Sequence, residues 1–99
     1  MRLDKYLKVS RLIKRRTLAR EVCDGGGVAI NRRPAKASTS VKPGDILTLR
    51  LGNRWQTVEI LATPDNIAAD RARETYRVLA EGRGEAGSGK LEAGDPEGR

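Results

Sequence analysis

The 99-residue chain has no histidine and no phenylalanine, one cysteine, and only Tyr6, Trp55 and Tyr76 as aromatics. Each shortage excludes something. Without imidazole, Ser-His and Cys-His nucleophile pairs cannot be built and the commonest general base at neutral pH is missing. A lone cysteine cannot close an internal disulfide, and with no histidine beside it the usual zinc donor set is incomplete. No metal or other cofactor is expected. No two carboxylates pair on one element, so an enzyme is not expected either. No apolar run approaches the roughly twenty residues of a membrane span. The opening "MRLDKYLKVSRLIKRR" lacks the apolar core of a signal peptide. The expectation is a cytoplasmic protein with no membrane partner. A chain of this length forms one domain and buries only about 60–65% of its unfolded surface, which favours a small core and a working surface over a large cavity.

What the chain does have is positive charge. Twenty Lys and Arg stand against thirteen Asp and Glu, for a net +7. Residues 1–60 carry fourteen basic and five acidic side chains, and residues 61–99 carry six and eight, so the excess lies in the first part. Arg2, Lys5, Lys8, Arg11, Lys14, Arg15, Arg16 and Arg20 put eight cations in the first twenty residues against one acid, Asp4. Such a cluster fits a polyanion. The planar fork of arginine suits phosphate oxygens. With so few aromatics the chain lacks the stacking platform of single-strand readers, so structured RNA held by backbone and shape is the better match.

The pattern of elements is α+β. Leu3, Tyr6 and Leu7 follow helical spacing, and Asp4 lies one turn before Lys8 in the favourable order, so residues 3–9 read as a short helix. Ser10 and Arg11 interrupt it. A second helix is expected from about Lys14 to Asp24, with Leu18, Ala19, Val22 and Cys23 on one face. Arg16, Thr17, Arg20 and Asp24 take the other face, where the two arginines project side by side. Gly25 to Gly27 stop this helix, and "VAIN" follows as a strand. "NRRP" reads as a turn leading to an extended segment through Ala37. "VKPGD" is a tight turn before a strand from Ile46 to Leu51, and Gly52-Asn53 is a two-residue hairpin into a return strand from Trp55 to Leu61. After Pro64, "NIAADRARETYRVL" is expected to be helical and to fray near Thr75 into a short extended "YRVL". The expected architecture is two short N-terminal helices packed on a small, mainly antiparallel twisted sheet. The expected division is a domain over 1–62, an extension over 63–81, and a glycine-rich disordered tail over 82–99.

Two motifs fail on inspection. Gly84, Gly89 and Lys90 match the spacing of a phosphate loop, but Leu91 replaces the required Ser or Thr, and no strand is expected to precede them. The three glycines after Cys23 follow a helix C-terminus, whose partial negative charge repels phosphate. Cys23 belongs to the apolar face and reads as a small core residue.

The run "RLDKYLKVSRLIKRRTLAREV", the glycine stop, "VAIN", the turn and "VKPGD" together resemble the RNA-binding domain named after small-subunit ribosomal protein four, over about residues 2–51. The resemblance implies an RNA-facing surface made by the two helices and the first strand. The contacts it implies are Arg2, Arg11, Lys14, Arg15, Arg16 and Arg20. Lys5 and Lys8 of the same charge cluster, and Asn31 and Arg32 of the turn, are further candidate RNA contacts. Two departures stand out. Lys14 occupies the place where many members have a hydroxyl residue capping the second helix, a loss of about 1 kcal/mol unless another group substitutes. Arg32 follows Asn31 where many have glycine. A stand-alone copy ending "ETYRVL" is most similar to ribosome-associated quality control members of this family. That implies a non-enzymatic role on the obstructed large ribosomal subunit, contacting large-subunit rRNA and peptidyl-tRNA beside a NEMF-family alanine-tailing factor, as a monomer. The alternatives are a heat-shock branch that binds and recycles free large subunits with a nascent chain, or a generic structured-RNA-binding module.

Overall fold

A computed structural model describes residues 1–84. The glycine-rich tail and the phosphate-loop spacing that ends at Lys90 lie outside the described residues, apart from the first residues of each. Helix α1 spans Leu3–Val9 and α2 spans Arg16–Asp24. Strands β1 (Val28–Ile30), β2 (Arg33–Pro34), β3 (Ile46–Leu51), β4 (Arg54–Ile60) and β5 (Tyr76–Arg83) form one sheet in the order β2-β1-β3-β4-β5. Every neighbouring pair is antiparallel. This is the expected α+β layout.

The core lies between the helices and one face of the sheet. Leu3, Tyr6 and Leu7 of α1, Ala19 and Cys23 of α2, and Leu47, Leu49, Val58 and Ile60 of the central strands are all fully buried. Alternation along β3 and β4 selects this face, since successive side chains of a strand point to opposite sides. Register follows from two-residue turns: Leu51 pairs with Arg54 around Gly52-Asn53, and Ile30 pairs with Arg33 around Asn31-Arg32.

Helix α1 has no side-chain cap at its N-terminus. Its first amides are satisfied from elsewhere: Leu3 donates to the Thr39 carbonyl at 2.8 Å, Asp4 to that of Ala37 at 3.1 Å, and Lys5 to the Asp4 carboxylate at 2.7 Å. The loop after β2 therefore does the work of a cap.

Four expectations need correction. Helix α2 begins at Arg16, not Lys14, because Arg15 is still extended and forms the N-cap without a side-chain bond. Leu18 is not on the buried face and is 46% exposed. The stripe that packs is Ala19 and Cys23, four residues apart, with Val22 partly buried beside it. The segment after Pro64 is not an α-helix: a 3₁₀ helix runs over Ala69–Thr75 with no side-chain cap, and only Ala72 and Thr75 are buried. One buried alanine and one buried threonine, whose hydroxyl donates to the Ala72 carbonyl at 2.7 Å, do not supply the continuous apolar stripe that stabilises a short α-helix. Finally, β5 is longer than "YRVL". It continues through Gly82 to Arg83, paired along β4 with an irregularity at Thr57/Val58.

Gly82 earns its place in that strand. It pairs with Trp55, and a Cβ there would come within 2.8–2.9 Å of the indole. The absence of a side chain lets the ring lie against β5. Gly27 does the same at the start of β1, where a Cβ would meet Val22 Cγ1 at 2.8 Å and the Arg50 carbonyl at 3.1 Å.

The C-terminal part is tied into the same core by one carbonyl. Thr75 O accepts from the Tyr6 hydroxyl at 2.8 Å, and from the amides of Leu61 and Ala62 at 2.9 and 3.3 Å. Burial pushes the Tyr6 phenol up to about 12.

Candidate nucleic-acid interface

Helix α1, the turn after it and the start of α2 present the basic side chains. Ser10 makes that turn tight. Its hydroxyl donates to the Leu7 carbonyl at 3.2 Å and accepts from the Leu12 amide at 3.4 Å, while Arg11 takes a left-handed φ of 67°. Ile13 then drops into the core. The result sets the beginning of α2 beside α1.

The centre of the surface is an acid. The Asp4 side chain is fully buried, and three guanidinium groups converge on it. Arg2 donates through Nε at 3.1 Å and through a terminal nitrogen at 3.2 Å, Arg16 donates at 3.4 Å, and Arg20 lies 3.8 Å away. Burial by itself would raise the Asp4 pKa. The hydrogen bonds from Arg2 and Arg16, the Arg16 charge and the Lys5 amide outweigh it and hold the carboxyl below its ordinary value. The three arginine side chains remain 44–58% exposed, so each keeps donors free toward solvent. One negative charge thus gathers three positive ones and leaves the cluster net positive. This is not the i,i+4 pairing with Lys8 that spacing suggested. Lys8 makes no ion pair among the described residues, and Asp4 faces α2 instead.

The remaining basic residues divide. Lys8, Arg11, Lys14 and Arg15 are exposed around the α1–α2 turn with no salt bridge among the described residues. Lys5 is half-buried and bonded to Asp65 at 3.3 Å. The missing side-chain cap at α2 is as expected, although the cap position is Arg15, and no acid sits in its first turn. The positively polarised end of α2 therefore adds to the charge of Lys14, Arg15 and Arg16.

Asn31 and Arg32 lie elsewhere, in the β1–β2 turn, both with left-handed φ values of 49° and 72°. The Asn31 side chain is committed to the fold: it donates to Asp45 at 3.1 Å and accepts from the Ile46 amide at 3.0 Å. Asp45 also accepts from the Lys42 amide at 3.0 Å. Burial opposes its ionisation, yet the bonds from Asn31 and Lys42 hold its pKa below the ordinary value. Arg32 is exposed at the tip of the turn. Cys23 is buried, and its thiol is pushed up to about 11 by burial and by the charges of Asp24 and Asp4, so it is an inert core residue at neutral pH.

Sequence reasoning missed Asp4 as the organiser because its partners come from residues 2, 16 and 20 and meet only when the helices pack. The signal that was available is composition: a single acid among eight cations.

Comparisons with known proteins agree with this geometry. The family model of the S4 domain matches residues 1–47. The RQC P-site tRNA stabilizing factor of Bacillus subtilis is 54% identical over 81 residues, covering 82% of this chain and 94% of that protein. The chain belongs to the family of RQC P-site tRNA stabilizing factors. Likeness to this family extends past the S4-matched residues. Heat shock protein 15 of Escherichia coli is 42% identical over 82 residues, covering 82% of this chain and 62% of that one. The solved structure of heat shock protein 15 from Vibrio cholerae, described as trimeric, superposes with a TM-score of 0.75 at 41% identity, covering 81% of this chain and 82% of that chain.

Proposed function

We propose that the chain is a non-enzymatic, cytoplasmic RNA-binding factor of ribosome-associated quality control. It binds obstructed large ribosomal subunits, contacts rRNA and peptidyl-tRNA, and steadies the tRNA while a NEMF-family partner directs alanine tailing of the stalled chain. The observation that carries this reading is the arginine cluster on Asp4 within a chain 54% identical to a tRNA-stabilizing factor of this pathway. Arg2, Arg16 and Arg20 form the centre of the RNA surface. Lys5, Lys8, Arg11, Lys14 and Arg15 extend it, and Arg32 is a peripheral contact beside the structural Asn31. The physical logic is that half-exposed guanidiniums, held in place by a buried acid, meet phosphate without first having to be ordered.

Co-sedimentation tests this. The protein should pellet with large subunits carrying peptidyl-tRNA in preference to empty ones at physiological salt, as a monomer. Equal binding to both would overturn this reading in favour of a generic structured-RNA-binding module. The likeness to heat shock protein 15 supports a second reading, a heat-shock-type factor that binds and recycles free large subunits carrying a nascent chain.

A further inference from the structure

An open cleft of about 290 Å³ separates α1 from residues 65–67. We propose that this cleft receives one unstacked RNA nucleotide. Its phosphate would lie at the Arg11 and Arg16 rim, and its base against Val9 and Ile67 with its edge read by Asp65 and Asn66. This rests on the RNA-binding reading above and adds a base contact to what charge alone would make a backbone grip.

The volume sits at the small end of ligand pockets, about 300–1,000 Å³, which suits a single nucleotide and not a helix. Three cations line it without being fully neutralised. Lys8 and Arg11 have no ion pair among the described residues, and Arg16 gives one bond to Asp4 while also facing the cleft. Arg16 therefore joins the Asp4 cluster to the cleft, so a phosphate held there has its base within reach of the interior. Arg11 is set at the rim by the left-handed turn.

The walls are what a phosphate-only surface would not have. Val9 and Ile67 are half-buried and apolar, suited to the faces of a base. Asp65 carries a carboxylate with 87% of its side chain exposed inside a basic surface. A carboxylate repels phosphate but accepts from amino and imino groups on a base edge. Its bond to Lys5 offsets the repulsion and holds it in place. Asn66, beside it, can both donate and accept. An acidic peptide would match Lys8 and Arg11 but meet Asp65 unfavourably.

The test uses the full chain and a set of short RNA hairpins that are identical except at one position in the stem. That position is a bulged A, C, G or U, a bulged abasic residue, or no bulge. At least one bulged base should bind about tenfold more tightly than the abasic bulge, the scale of one well-read base. Asn66→Ala and Ile67→Ser should abolish that preference while leaving the affinity for the abasic hairpin and its salt slope unchanged. Both sites are in an irregular segment, and thermal melts check that the variants fold. The proposal is overturned if no base exceeds the abasic bulge, if the preference survives both substitutions, or if polyglutamate competes as well as the best hairpin. Binding to none of the hairpins at any salt would instead overturn the RNA-binding reading itself.

Discussion

Replacing Asp4 with asparagine removes one charge and keeps the shape, and the structure sets what that should cost. Deleting one partner of a fully buried ion pair destabilises by about 3–5 kcal/mol, most of it from the stranded charge. Here the stranded partners are three arginines with 44–58% of their side chains in water, so solvent takes back much of that penalty. Asparagine also retains an oxygen for the Lys5 amide. The expected loss is about 2 kcal/mol at neutral pH, or roughly 8–16 °C in melting temperature for a domain of this size. The pH dependence identifies the cause. Asp4 titrates below its ordinary value of 3.8 in the folded chain, so its ionised form stabilises the fold above that value. This contribution is lost as pH falls through the depressed folded value. Denaturant titrations of both proteins from pH 7 to pH 2 should therefore show a gap that is constant above about pH 5 and closes below 3.8. Asp45 contributes to the acid limb of both proteins alike and cancels in the difference. RNA binding gives a second readout. The variant has one more net positive charge, so a charge count predicts tighter binding to large subunits, whereas loss of the gathered arginines predicts weaker binding. A gap that persists unchanged to pH 2, or tighter binding by the variant, would refute the argument.

Four further outcomes follow from the same contacts. Arg16→Ala should weaken binding to large subunits and reduce the slope of log affinity against log salt by about 0.7–0.9, from about −3.5 to −4.5 if about five phosphates are engaged; salt titration measures it. Gly27→Ala places a Cβ 2.8 Å from Val22 Cγ1 and 3.1 Å from the Arg50 carbonyl, and should destabilise by about 1–3 kcal/mol in denaturant melts. Tyr6→Phe leaves the Thr75 carbonyl with its two amide donors, so the loss should be about 1 kcal/mol, and a far larger loss would mean that the hydroxyl does more than close this contact. Arg32→Gly relieves a left-handed residue with φ of 72° and should stabilise the turn by about 1 kcal/mol, while removing one cation from the proposed surface.

Local chemistry was legible where it acts over a few residues. The proline-glycine turn before β3, the Gly52-Asn53 hairpin, the glycine stop after α2 and the core face of β4 all follow from backbone preference and alternation, and the structure has each of them. What was not legible depends on partners distant in sequence. Asp4 looked like half of a helical pair with Lys8 because spacing along α1 is visible in the sequence and the approach of α2 is not. Leu18 reads as core because it lies beside Ala19, Val22 and Cys23 on the helical wheel; the helix packs through the small residues Ala19 and Cys23, and leaves leucine outside. Gly82 looked like the start of a tail because glycine in a polar run normally signals disorder. Its reason for being in a strand is Trp55, twenty-seven positions earlier, whose ring needs the space.

The cross-sequence ties also bear on why the basic surface holds its shape. Eight cations in twenty residues repel one another, and a seven-residue helix has little intrinsic stability to resist that. The chain meets the difficulty from two sides. On the outer side Asp4 draws Arg2, Arg16 and Arg20 together, so that repulsion between helices becomes attraction through a shared acid. On the inner side Tyr6 of the same helix reaches through the core to the Thr75 carbonyl, and Leu3 and Asp4 take their amide bonds from the loop at Ala37 and Thr39. Helix α1 is thereby held by residues from both later parts of the described chain. A loss of the 3₁₀ segment or of β5 should consequently loosen a surface to which neither contributes a proposed RNA contact, which makes residues 69–83 a support for the interface and not an appendage to it.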